Sequence, residues 1–297
     1  MTRLTGLSAF PITPCDPAGE VDVAALRVLL ARLLAAGVDS IGLLGSTGSY
    51  PYLSRAERRR ALEAALDLAA GRVPVLVGVG ALRTDEAVRL ARDARDAGAA
   101  AGLLAPVSYT PLNDDEVFAH FAAVARESGL PLCIYDNPGT THFAFGPALV
   151  GRLARLPGVV AVKSPAPGPG AVASHLAALR AAVPEGFAVG CSVDGNALDA
   201  LLAGADAWYS VAAGLFPEPC AAIVRAARSG DAAIARRLDA GLRPLWDLFG
   251  TFTSLRVVYA AANHLGLCRA APPRPVLPLP EPARQRVADT IDRLGLR

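Results

Sequence analysis

Gly158-Val159-Val160-Ala161-Val162-Lys163-Ser164-Pro165 is a short apolar run that ends on a lysine. A run of this length, rich in valine and bounded by glycine and proline, is too short for a helix and suits a strand buried on both faces. Seven more runs of the same kind flank it, at residues 7–12, 40–44, 73–78, 101–104, 132–135, 187–190 and 207–211. Between them lie segments with helical spacing of apolar residues, at 22–36, 54–70, 84–97, 114–128, 146–156, 171–182, 196–203 and 218–228. The first carries Leu26, Leu29, Leu30 and Leu33 on one face, and the second opens on Ser54 with Glu57 three residues later, the pattern of a capping box. Strictly alternating strands and helices predict a parallel sheet with helices outside, and eight such units predict a (β/α)8 TIM barrel. A doubly wound open sheet is the competing fold. It ordinarily opens with a glycine fingerprint, and Pro11-Ile12-Thr13-Pro14 at the first turn has none.

After residue 230 the strands stop. Residues 231–249, 251–265 and 281–294 read as helices, joined in part by the proline-rich stretch 270–280. The expected division is a catalytic barrel over 1–229 and a helical extension over 230–297. The apolar Leu245-Trp246-Asp247-Leu248-Phe249 segment is expected to bury against its own barrel or against another subunit.

With 29 Lys+Arg against 27 Asp+Glu and 19% charged residues, the chain is neither a disordered polyampholyte nor a basic nucleic-acid binder. No uncharged apolar run approaches the ~18 residues of a membrane span. The start, Met1-Thr2-Arg3-Leu4-Thr5-Gly6, lacks the apolar stretch of a signal peptide. The five cysteines, Cys15, Cys133, Cys191, Cys220 and Cys268, are odd in number and form no CxxC pair, which predicts neither a disulfide framework nor a thiolate metal site. A cytoplasmic protein follows. His120, His142, His175 and His264 form no HxH or HExxH pair, so neither a metal nor a cofactor is expected. Asp114-Asp115-Glu116 reads as a helix N-terminus, and Arg58-Arg59-Arg60 as a solvated helix face.

One count bears directly on chemistry. Of the 29 cationic side chains, 28 are arginine, and the single lysine is Lys163. A guanidinium stays protonated, whereas a desolvated amine can attack a carbonyl. In a barrel the reactive groups gather at the C-terminal ends of the strands. Lys163 ends strand six and Tyr135 ends strand five, so a phenol able to shuttle protons neighbours an amine able to form a Schiff base with a ketone. Ser46 and Tyr109, after strands two and four, complete a candidate hydroxyl chain. The turn Gly45-Ser46-Thr47-Gly48 offers small residues and backbone N–H groups that suit a carboxylate, and it lacks the lysine-containing phosphate-loop pattern.

In sequence the chain resembles the dihydrodipicolinate synthase/N-acetylneuraminate lyase family of class I aldolases. The resemblance runs from about residue 4 to residue 265 or beyond. It rests on Ala9-Phe10-Pro11-Ile12-Thr13-Pro14, Gly45-Ser46-Thr47-Gly48 followed by Leu53-Ser54-Arg55-Ala56-Glu57-Arg58, Pro106 with Tyr109 and Pro111, Tyr135-Asp136-Asn137-Pro138, and Val162-Lys163, in this order and spacing. It implies Lys163 as the Schiff-base lysine, Tyr135 as proton relay, Ser46 and Tyr109 as the rest of the relay, and Thr47 as holder of the carboxylate of pyruvate or a related 2-oxo acid. It implies a homo-oligomer, a dimer or a tetramer of two dimers, in which the Tyr109 position reaches across the tight dimer interface. The expected partners are a small 2-oxo acid and an aldehyde or sugar-acid fragment, with no nucleic acid and no membrane. Thr140, Ser192 and Tyr209, with Thr141, His142 and Val193, are the expected specificity positions.

The chain also departs from the family. Thr140 stands where dihydrodipicolinate synthases carry an arginine for the second substrate's carboxylate. Ser49 stands in place of a glutamate, Val193 in place of a glycine, and the Tyr109 loop is one residue out of register. The expected activity is therefore an aldolase or lyase of unassigned aldehyde. Dihydrodipicolinate synthesis, dehydration of a 2-oxo sugar acid and a catalytically silent 2-oxo acid-binding barrel are the alternatives.

Overall fold

The computed structural model describes residues 4–168 and 170–297, so Met1, Thr2 and Arg3, part of the leader reading above, lie outside it. Eight strands close into one parallel barrel in sequence order: β1 (Gly6–Ala9), β2 (Ser40–Leu43), β3 (Val75–Gly78), β4 (Ala101–Leu104), β5 (Leu132–Tyr135), β6 (Val159–Pro165), β7 (Ala188–Ser192) and β8 (Ala207–Ser210). β8 returns to pair with β1, which excludes the open sheet. Most of the strand residues are buried because each strand faces two apolar layers. On β5, Leu132 and Ile134 point outward to the helices, while Cys133 and Tyr135 point into the barrel beside Ala101, Ala161, Ala188 and Ala207. The small interior alanines make room for three large rings, Phe10, Tyr135 and Tyr209.

A register shift sets the central pair. Leu132 lies opposite Val159, but Cys133 lies opposite Ala161, so β6 carries one extra residue there. Beyond the shift Tyr135 stands opposite Lys163. Without the extra residue it would face Val162, whose side chain belongs to the outer layer, because a one-residue slip exchanges the two faces of a strand.

The helices follow the apolar spacing, with three differences. Residues 231–249 do not form one helix but two, Ala232–Gly241 and Arg243–Phe252, because Pro244 has no N–H to donate and fits only a first turn. A short helix, Pro138–Thr141, follows β5 where no helix was expected. At Ser54 only half of the capping box forms: its side chain accepts from Glu57 N–H, while the Glu57 carboxylate accepts from Val21 N–H at 2.5 Å. The complete box is at Asn113 and Glu116, where the acidic run opens the helix Asp114–Ser128.

Arg58 also departs from its expected place on a solvated face. It is buried, donates to the Gly80 and Leu53 carbonyls and lies over the Tyr50 ring. Arg59 and Arg60 do face solvent, beside Glu63 and Glu57. Leu245, Trp246 and Leu248 bury on the chain's own barrel, with the Trp246 indole edge-to-face against Trp208 of β8. Among the described residues no helix is long and apolar enough to cross a membrane.

Candidate active site

Lys163 sits on the inward parity of β6, and its side chain is buried. Its Nζ lies 3.8 Å from the centroid of the Phe10 ring and 4.4 Å from that of Tyr135, with the Tyr209 ring 5.9 Å away. Phe10 can lie so close because Gly42 within β2 and Gly45 just beyond it carry no side chain. A Cβ at Gly45 would stand 2.7 Å from the Phe10 ring. The lysine thus leaves the barrel floor through a collar of aromatic rings, which positions the amine by packing.

The Tyr135 hydroxyl donates to Ser46 Oγ at 2.9 Å and accepts from Asn137 Nδ2 at 3.1 Å. Burial by itself would raise the pKa of this phenol. The neighbouring Lys163 charge, the Ser46 contacts and the Asn137 amide outweigh it and hold the pKa below the ordinary tyrosine value. A phenol so placed releases a proton more readily than one in water, which is what a relay requires.

These groups open on a cavity of about 340 Å³ above the barrel. Its near side is Lys163, Tyr135, Ser46 and Asn137. Its far side comes from the loop after β7 and from the C-terminal extension: Val193, Trp246, Phe249, Gly250 and Ser254. Asp194 also lines it, but both carboxylate oxygens are engaged, Oδ1 by Trp208 Nε1 and Ser210 Oγ and Oδ2 by Ala212 N–H. Burial raises the pKa of Asp194, against the pull of those bonds and of Lys163.

The sequence-derived candidates divide. Lys163, Tyr135, Ser46 and Ser192 meet at the cavity. Thr47 is buried one residue beyond Ser46, in the same turn. Tyr109 is not brought there by its own chain: it is 98% exposed. Thr140 is exposed on the short helix after β5, bonds back to the Asn137 carbonyl and is not among the described lining residues. Tyr209 lines the cavity floor with its ring, but its hydroxyl turns to Cys133 Sγ at 3.8 Å inside the barrel. Its parity on β8 gives the reason, since residues 207 and 209 both face inward. Sequence reasoning missed Asn137, Phe10, Trp246 and Phe249 as site residues. Strand parity could have found Asn137, two residues after Tyr135; the two tail aromatics lie in the apolar segment expected to bury on the barrel, but nothing in it marks them as cavity lining.

Behind the site, Ser164 Oγ lies 2.9 Å from His175 Nε2 and 3.4 Å from Asp136 Oδ2. Burial pushes the Asp136 carboxyl up to about 6 from the ordinary 3.8, although the Phe145 N–H and Ser164 contacts work against it. A carboxyl whose folded pKa is raised favours the native state at low pH, and that contribution is lost as pH rises from about 4 through 6. Asp136→Asn is therefore expected to stabilise the protein by about 1–2 kcal/mol at pH 8 and by much less at pH 4.5. Thermal melts at the two pH values check this, and an equal gain at both would contradict the assignment.

Comparisons with known proteins agree with this geometry. Residues 3–294 match the description of the dihydrodipicolinate synthetase family. A 4-hydroxy-tetrahydrodipicolinate synthase of Methylococcus capsulatus is 34% identical over 285 residues, 96% of each chain. The crystal structure of a dihydrodipicolinate synthase from Agrobacterium tumefaciens superposes with a TM-score of 0.96 at 56% identity, covering 99% of both chains. A chloride-inhibited dihydrodipicolinate synthase from Acinetobacter baumannii, solved in complex with pyruvate, gives 0.90 at 27% identity over the whole of both chains.

Proposed function

This chain belongs to the dihydrodipicolinate synthetase family of Schiff-base-forming lyases, and we propose that Lys163 is the residue that forms the imine, with pyruvate or a close 2-oxo acid as its partner. The observation that carries this is the placement of the chain's one lysine: buried inside the barrel mouth, beside a phenol bonded on both sides. The Lys163 amine attacks the keto carbon to give a carbinolamine. Tyr135 delivers the proton that lets the oxygen leave as water, and the cationic imine remains. Loss of a proton from the adjacent carbon gives an enamine, the nucleophile for a C–C bond; the reverse sequence cleaves one. Ser46 passes protons to and from Tyr135, and the Thr47 turn holds the acid's carboxylate with backbone N–H groups.

Incubation with pyruvate and borohydride tests this reading. A reduced adduct on the peptide containing Lys163 is the expected result, and an unmodified chain at saturating pyruvate ends it. Synthesis of 4-hydroxy-tetrahydrodipicolinate, the activity named for the relatives, is the second reading. Against it stands Thr140, an exposed hydroxyl at the position that the resemblance gives to a carboxylate-binding arginine.

We also read residues 1–229 as the catalytic barrel and 230–297 as an extension that roofs its mouth, and the active unit as a homo-oligomer. An aromatic side chain exposed as fully as Tyr109 fits insertion beside Ser46 of a neighbouring copy. Sedimentation at assay concentration decides it: a fully active monomer removes the role of Tyr109. The cytoplasm suits a chain whose five cysteines are all free thiols.

A further inference from the structure

We propose that the aldehyde partner of this enzyme is uncharged and apolar at the end away from its carbonyl, an aryl or branched-alkyl aldehyde seated against Val193, Trp246 and Phe249. The inference rests on the imine at Lys163 proposed above and extends it to the second substrate.

The charges of the cavity carry it. Among the described lining residues there is one cation, Lys163, and one carboxylate, Asp194. The Lys163 nitrogen is taken up by the 2-oxo acid, and in the enamine that meets the aldehyde it carries no charge. The carboxylate is already bonded by Trp208, Ser210 and Ala212. A second carboxylate, on the aldehyde, would meet no opposite charge along this wall and would face the like charge of the 2-oxo acid's own carboxylate, which is unfavourable. A distal ring or branched chain loses nothing of the kind and covers apolar wall.

The shape of the far wall agrees. Trp246 and Phe249 lie 5.9 Å apart between ring centroids, and Trp246 is fixed by its Nε1 donating to Asp239 and by the steeply inclined ring of Trp208. Val193 stands at the rim, 48% exposed, with φ +72°, a conformation that a β-branched residue rarely adopts. Glycine would hold that turn without strain, so the valine supplies an apolar side chain where the backbone does not ask for one. A cavity of about 340 Å³ also exceeds what a three-carbon acid fills. A space of about 150 Å³ accepts a benzene ring.

The reaction balances without any further reagent. The enamine carbon of the Lys163 adduct attacks the aldehyde carbon, forming one C–C bond. The aldehyde oxygen takes a proton by way of Tyr135. Water then hydrolyses the imine, freeing the Lys163 amine and a 4-hydroxy-2-oxo acid.

The test measures pyruvate consumption with benzaldehyde, isobutyraldehyde and succinic semialdehyde, next to borohydride trapping of pyruvate alone. The expected result is kcat/KM at least about tenfold higher for the two uncharged aldehydes than for the carboxylate-bearing one, the scale of one buried apolar group against one unpaired charge. Equal or reversed values, or no uncharged aldehyde consumed, overturn the inference; if trapping succeeds in the same preparation, the imine reading survives it. Failure of trapping removes both. Phe249→Arg places a cation on the far wall and is expected to invert the order of benzaldehyde and succinic semialdehyde. Phe249→Leu, which keeps the wall apolar, is expected to preserve it. An unchanged order in the arginine variant counts against the seating.

Discussion

Lys163→Arg is expected to reduce turnover by at least about 10⁴-fold while leaving the barrel folded. The substitution keeps a long cationic side chain among Phe10, Tyr135 and Tyr209, so the collar of rings retains an occupant with the same charge. It removes the nucleophile: a guanidinium stays protonated, and its lone pairs are delocalised. With no other lysine in the chain, no second side-chain amine can take over. The wider guanidinium can strain so tight a collar, so Lys163→Met, which retains the stem volume without charge, is the companion variant. Circular dichroism and melting temperature report the fold, and stopped or coupled pyruvate assays report the rate. Both variants must also lose the borohydride-stable adduct. Turnover within tenfold of the unsubstituted protein in either one removes the imine mechanism, whatever the fate of the aldehyde reading.

The reach of the sequence can be judged at β5 and β6. Their existence was legible, since short valine- and leucine-rich runs bounded by glycine and proline leave little choice. Their relative register was not, because it depends on the single extra residue between Val159 and Ala161. Spacing along the chain placed Tyr135 and Lys163 on neighbouring strand ends; only the paired backbone shows that both face inward. The same distinction separates Ser46 from Tyr209. Ser46 lies on a turn at the rim, half-buried between Gly45 and Thr47, while Tyr209 lies within a strand, where parity alone turns its hydroxyl to Cys133. Arg58 escaped for another reason: in a run of three arginines, composition cannot tell which one finds carbonyl acceptors inside the fold. The apolar run around Trp246 and Phe249 announced burial, but their place at the cavity depends on how a helix broken at Pro244 docks across the barrel mouth, a tertiary fact that the run does not encode.

Tyr135→Phe is expected to lower kcat by about 10²–10⁴-fold, the range of a lost proton relay, with a much smaller change in KM for the 2-oxo acid. The ring stays, so the packing against Lys163 Nζ stays with it. What disappears is the oxygen that donates to Ser46 and accepts from Asn137. Two observations separate a relay from a structural hydroxyl. First, the borohydride adduct must still form at Lys163, but slowly, because carbinolamine dehydration has lost its acid while the amine remains. Second, the pH dependence of kcat must change shape, since the phenol held below its ordinary pKa is then missing from the profile. A phenylalanine variant within threefold of the parent rate, with an unaltered profile, would assign the proton transfers to water or to Ser46 alone. The converse, a large loss with an adduct that forms at full speed, would move Tyr135 from imine formation to the later step at the aldehyde oxygen. There the same hydroxyl faces the cavity between the near polar side and the apolar far wall.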